Sequence, residues 1–146
     1  MLELIVVLAV IGLVAAFAVP SVFAGRVTAE IKTASKAVVD GLRRARTLAV
    51  YQGREVPFVM DVEGKRFRVA GGKPVDLPAR ISFAMRTAAD EVLNDAQGAI
   101  RFFPDGSSTG GRVDVYPAGR EDRATRIAID WLTGRVTILR LEGAAR

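Results

Sequence analysis

Two sets of residues in this chain could do chemistry. The first is a lone carboxylate. Glu3 stands at the head of the run Leu4-Ile5-Val6-Val7-Leu8-Ala9-Val10-Ile11-Gly12-Leu13-Val14-Ala15-Ala16-Phe17-Ala18-Val19-Pro20, and no further charge occurs before Arg26. Its chemistry would be ion pairing, because an unpaired charge in an apolar setting costs on the order of 3 kcal/mol on membrane-insertion scales. Something must neutralise it. The second set is the polar stretch Asp105-Gly106-Ser107-Ser108-Thr109 together with Trp131. Hydroxyls, a carboxylate and an indole are groups that could touch a ligand or partner. Asp105-Gly106 and Gly110-Gly111 equally suit positive-φ turns between strands, and that reading is preferred. Trp131, beside a turn, is read as a packing residue rather than a binding platform.

Other chemistry is excluded by what the chain lacks. There is no histidine and no cysteine. Zinc sites, Ser-His or Cys-His catalysis and a disulfide framework are therefore out. Asp61, Asp90, Asp95, Asp105 and Asp114 do not follow the spacing of a calcium loop. No cofactor or metal is implied, and no catalytic constellation is visible, so the chain is not read as an enzyme. The net charge is +5, mostly from arginine. It suits an acidic partner, a membrane surface, nucleic acid or plain solubility.

The elements that position these residues follow from periodicity. The uncharged run of roughly 20 residues is long enough to span a bilayer as a helix. The helix then continues as an amphipathic spine, with Val27, Ile31, Ala34, Val38, Leu42, Ala45 and Leu48/Ala49 on one face. Pro20 should kink the first half, and Gln52-Gly53 should end the second. The product is one helix of roughly 50 residues, about 75 Å long. After Gly53 the pattern becomes strand-like. Val56 to Val62 and Arg66 to Ala70 flank a turn at Glu63-Gly64-Lys65, and Ile81 to Met85, Ala99 to Phe103 and Arg112 to Tyr116 follow. Thr87 to Gln97 reads as a loop or a short strand. The last hairpin joins Thr125–Asp130 to Arg135–Leu141, each arm alternating so that one face is solvated. The tail from Glu142 is expected to be loose. The fold class is α+β, a long helix on an antiparallel sheet domain. The divisions are 1–25 (membrane or filament-core half), 26–53 (spine) and 54–146 (β domain).

The opening Leu2-Glu3-Leu4-Ile5-Val6-Val7-Leu8-Ala9-Val10-Ile11-Gly12, with Pro20, resembles the N-terminal helix of type IV pilins and of the pseudopilins of type II secretion. The resemblance implies that Glu3 offsets the N-terminal amine of a neighbouring subunit during filament assembly. It also implies cleavage by a prepilin peptidase and methylation of the new terminus. The basic leader and cleavage glycine of that pattern are not in the sequence. Family spacing would put about two further residues ahead of Met1, so Met1 reads as an internal methionine taken as the start. Arg26, Lys32 and Lys36 follow the apolar run and none precedes it, a bias that by itself would leave the C-terminal part in the cytoplasm. The resemblance instead implies a single-pass protein of the bacterial inner membrane with its C-terminal domain in the periplasm.

The C-terminal half narrows the resemblance. Ile100-Arg101-Phe102-Phe103-Pro104-Asp105-Gly106-Ser107-Ser108-Thr109-Gly110-Gly111, then Asp130-Trp131-Leu132-Thr133-Gly134-Arg135-Val136, is similar to the H-type minor pseudopilins of type II secretion (GspH). Gly41-Leu42-Arg43-Arg44-Ala45-Arg46-Thr47-Leu48-Ala49 matches that group too. The implied role is structural: a subunit at the tip of a short periplasmic filament that pushes folded proteins through an outer-membrane channel. Its partners would be other minor pseudopilins, the major pseudopilin, inner-membrane lipid and the prepilin peptidase. The rival is a FimT-like minor pilin that grips DNA during uptake, motivated by Arg43, Arg44, Arg46, Arg54, Arg112, Arg120, Arg123, Arg126 and Arg135. No aromatic-plus-basic stripe for single strands accompanies them.

Overall fold

The computed structural model describes residues 1–94 and 96–141, apart from the side chains of 16–24. The helix α1 (Leu2–Gln52) is followed in chain order by β1 (Val56–Asp61), β2 (Arg66–Val69), β3 (Val75–Asp76), β4 (Ile81–Thr87), β5 (Val92–Asn94), β6 (Gln97–Phe102), β7 (Gly111–Pro117), β8 (Thr125–Ile129) and β9 (Val136–Arg140). Single 3-10 turns at Ala89–Glu91 and Glu121–Arg123 precede β5 and β8.

The apolar stripe of α1 explains its packing. Ala34, Val38, Leu42, Ala45 and Ala49 recur at three- and four-residue steps and are fully buried. Ser35, Val39 and Gly41 are buried as well. The stripe is this wide because α1 packs on both sheets, against β1 and β2 of one and β7 and β8 of the other. The helix ends where Gly53 takes φ 62° and its N–H reaches the Ala49 carbonyl. At the other end, every large apolar side chain from Leu2 to Val14 is at least 48% exposed. The described part of the apolar run, 4–15, is shorter than the ~20 residues a membrane span needs. Among the described residues no helix is long and apolar enough to cross a membrane. The kink expected at Pro20 and the loose tail expected from Glu142 lie outside the described residues.

The antiparallel sheet domain expected from the strand pattern consists of two sheets. The first runs β3-β2-β1-β6-β5 and the second β4-β7-β8-β9, all pairs antiparallel. The ambiguous stretch after Thr87 becomes a 3-10 turn and then β5, an edge strand of the first sheet. The segment 103–110 carries the chain from β6 to β7, and so from one sheet to the other. The core lies between α1 and the two sheets. Phe58, Phe102, Met60, Ile81, Ile100, Ile127, Val113 and Val115 are all fully buried, each contributing about 2 kcal/mol of apolar burial. The Phe58 ring stacks on Phe67 at 5.0 Å. Gly41 lets α1 press on that pair, since a Cβ there would sit 2.5 Å from the Phe67 ring.

The last hairpin departs from the expected single solvated face. β8 alternates between buried and half-buried positions, but β9 is largely exposed on both faces, with Ile138 at 50% and Leu139 at 49%. The physical reason is position: β9 is the outermost strand of its sheet. With a neighbouring strand on one side only among the described residues, even its core-side residues are only partly covered.

Candidate functional site

The polar loop at Asp105 is built on its own side chains. The Asp105 carboxylate accepts from the Ser107 hydroxyl (2.6 Å) and the Ser107 N–H (2.9 Å). Those bonds, the hydroxyl first, hold its carboxyl below the ordinary value of 3.8. The Gly106 N–H donates to the Phe103 carbonyl, and the Phe103 N–H to the Ser107 carbonyl. Ser108 is buried; its hydroxyl donates to the Asp130 carbonyl and accepts from the Gly110 N–H. Thr109 accepts from the Arg101 N–H through its hydroxyl. The three hydroxyls that could have met a ligand are thus engaged within the fold.

The hairpin turn after β8 has the same design. The Asp130 carboxylate accepts from the Thr133 N–H and the Thr133 hydroxyl, both at 2.8 Å. These donors, the backbone one first, depress its carboxyl below 3.8, with a smaller contribution from Arg135. Two bonds then tie the loops together: Ser108 N–H to the Trp131 carbonyl (2.8 Å) and Ser108 hydroxyl to the Asp130 carbonyl (3.0 Å). Arg46 of α1 closes the joint by donating its Nε–H to the Gly106 carbonyl at 3.0 Å. Gly134 sits against that bond; a Cβ there would lie 2.2 Å from the Gly106 oxygen and 3.0 Å from Arg46 Nε. The two loops and the spine helix form one three-way joint between the sheets.

The structure therefore brings Asp105, Gly106, Ser107, Ser108 and the backbone of Trp131 together. The Trp131 indole is another matter. Its side chain was expected to pack, yet the residue is 66% exposed, and Leu132 beside it is 63% exposed. The turn holds Trp131 by its main chain and presents the ring outward. Glu3 stands far from this joint, in the exposed first turn of α1. The helix dipole favours a carboxylate there, and among the described residues Glu3 has no ion-pair partner.

Beside the joint, α1 and the hairpin enclose an open groove of about 470 Å³. Arg43, Arg46, Thr47, Thr133 and Arg135 line it, and among the described residues no carboxylate does. Spacing along the chain could not reveal this cluster, because its halves come from segments far apart in sequence. Two further ion clusters were also missed. Arg101 pairs with the buried Glu91 (2.8 Å) and with Glu55 (3.1 Å), and Arg126 makes a bidentate pair with Asp114 at 2.7 and 3.0 Å.

Residues 34–134 match the family model described as Type II transport protein GspH. The matched span holds most of the packed half of the helix, the first sheet, β4, β7 and β8 of the second, and both tied loops up to Gly134. The chain belongs to the GspH family. It is 35% identical over 136 residues to the Type II secretion system protein H of Xanthomonas campestris pv. campestris, covering 93% of this chain and 79% of that one. Among solved structures it resembles the minor pseudopilin EpsH of Vibrio cholerae (TM-score 0.61, 15% identity, 76% of this chain and 97% of that chain). It also resembles the type IV minor pilin FimU of Pseudomonas aeruginosa (TM-score 0.61, 16% identity, 77% and 90%). At such identities the likeness shows the fold, a pilin-like α+β architecture with a long N-terminal helix.

Proposed function

We infer that this GspH-family protein is a minor pseudopilin of a type II secretion system, a structural subunit of the periplasmic pseudopilus that drives export of folded proteins across the outer membrane. The observation that carries the reading is the family match across 34–134. It takes in most of the spine, the β domain as far as the turn before β9, and both loops of the joint. A rigid joint suits the role, because a subunit that transmits force along a filament must not shear between its helix and its sheets.

The finer assignments follow from the exposed end of α1. Its apolar half, Leu2 onward, has no partner surface among the described residues, so it belongs in lipid before assembly and in the helical filament core after it. The protein is then an inner-membrane subunit with its β domain in the periplasm, and its partners are the other minor pseudopilins and the major one. Glu3 pairs with the N-terminal amine of a neighbour, which offsets the cost of a carboxylate in an apolar bundle. Peptidase processing and methylation belong to this reading, and the mass of the N-terminal peptide from native membranes tests them.

The decisive test is Glu3→Ala in cells lacking the native gene. The variant should keep the wild-type unfolding midpoint yet fail to enter the filament, and secretion should fall. Normal incorporation and secretion would remove the role assigned to Glu3.

A further inference from the structure

The outer flank of the second sheet is left unfinished. Among the described residues no strand pairs with the far side of β9. Alternate N–H and C=O groups of such an edge point away from the sheet and are free to bond an incoming chain. Edge strands of isolated proteins are usually blunted by charge, proline or a bulge. Here Arg135 and Arg140 stand at the two ends, and Val136-Thr137-Ile138-Leu139 between them carries no charge. The arginine-lined groove opens at the start of this strand, and Trp131 and Leu132 project from the turn beside it. Arg43 and Arg135 form no salt bridge among the described residues. The Asp130 carboxylate near Arg135 is already engaged by Thr133.

The three features together select one kind of occupant. An unpaired strand edge recognises an extended backbone. Guanidinium groups without carboxylate partners recognise carboxylates, often in bidentate fashion. An exposed indole and leucine receive an apolar side chain. A second copy of β9 is disfavoured, because it would bring another Arg135 and Arg140 to the same edge, and like charges across a ladder repel. A nucleic-acid strand would use the arginines but leave the backbone edge and Ile138 unsatisfied.

We propose that the free edge of β9 and the adjacent Arg43/Arg46/Arg135 groove dock an extended acidic segment of a partner protein by strand addition. The proposal rests on the assembly reading and names the chemistry of the partner's side of the contact. Arg46 stays tied to Gly106 and orients the groove, while Arg43 and Arg135 supply the unpaired charge.

The chain contains a single tryptophan, so Trp131 reports on this flank without labelling. The full chain in detergent would be titrated with a synthetic peptide alternating Glu with Val. The same peptide with Lys in place of Glu and a single-stranded oligonucleotide would serve as comparisons. Binding of the acidic peptide should shift Trp131 emission, slow amide exchange within 136–140 and weaken as salt rises. Arg43→Glu with Arg135→Glu should weaken it by roughly tenfold or more while the unfolding midpoint holds. Arg43→Lys with Arg135→Lys should retain part of the binding. Equal binding of the lysine peptide, stronger binding of the oligonucleotide, or no protection of 136–140 would each overturn the proposal. In cells, the double charge reversal should impair secretion. If it secretes normally while Glu3→Ala does not, the docking proposal fails and the assembly reading stands. If Glu3→Ala also assembles and secretes normally, the reading beneath the proposal fails with it.

Discussion

Replacing Gly134 by alanine tests whether the joint is as tight as its geometry implies. Gly134 has φ +61°, so an alanine there takes left-handed strain of about 1 kcal/mol. The new Cβ would also start 2.2 Å from the Gly106 oxygen, a distance at which one group must move. The obstacle is backbone rather than a pliable side-chain end. The Gly106 carbonyl must therefore retreat, and it leaves Arg46 Nε, now 3.0 Å away. A hydrogen bond to a charged group contributes about 2 kcal/mol net. The sum is about 3 kcal/mol, or a fall of about 10 °C in Tm for a chain of this size. Gly119→Ala is the control, because Gly119 has φ +77° with nothing near its would-be Cβ. It should cost only the strain, about 1 kcal/mol. Urea or thermal unfolding of the full chain in detergent measures both. Equal losses in the two variants would refute the claim that Gly134 is fixed by the approach of Gly106 and Arg46.

Three further outcomes follow from the packing and the charges. Phe58→Ala empties a fully buried site stacked on Phe67 and should cost about 3–5 kcal/mol in urea unfolding. Arg101→Ala strips the buried Glu91 of its partner and should cost about 2 kcal/mol. The double variant with Glu91→Gln should recover part of that loss, so additive costs in a double-mutant cycle would deny the coupling. Asp130, Asp105 and Asp61 each sit below 3.8 because turn donors favour their charged forms: Thr133 for Asp130, Ser107 for Asp105, and the Gly64 N–H, then Arg66, for Asp61. A carboxyl depressed by folding stabilises the fold above its unfolded value and loses that contribution as pH falls through its folded value. Stability should therefore hold above about pH 4 and decline below it. Asp130→Asn should flatten part of that decline in urea midpoints measured across pH.

The sequence by itself determined the long helix, the longer strands and the family of this protein, but not the short edge strands β3 and β5. Helix signals are local: the buried stripe Ala34-Val38-Leu42-Ala45-Ala49 and the stop at Gly53 are readable because a helix repeats every 3.6 residues. The hairpins are local too, since Gly64 and Gly134 mark turns that strands on either side must share. The motifs at 100–111 and 130–136 pointed to the family that the model match then showed. Only the tertiary structure decided what those motifs do for one another. Nothing in the spacing says that Ser108 bonds the turn at Asp130, or that Arg46 reaches Gly106 across 60 positions of sequence. It also decided which face Trp131 presents. An indole beside a turn reads as packing until the fold shows that β9 is the outermost strand of its sheet and that, among the described residues, the ring stays exposed. The reason is physical. Periodicity encodes which side of an element is apolar, whereas pairing between distant loops and the exposure of an edge depend on where the sheets close. That is settled only when all the elements pack at once.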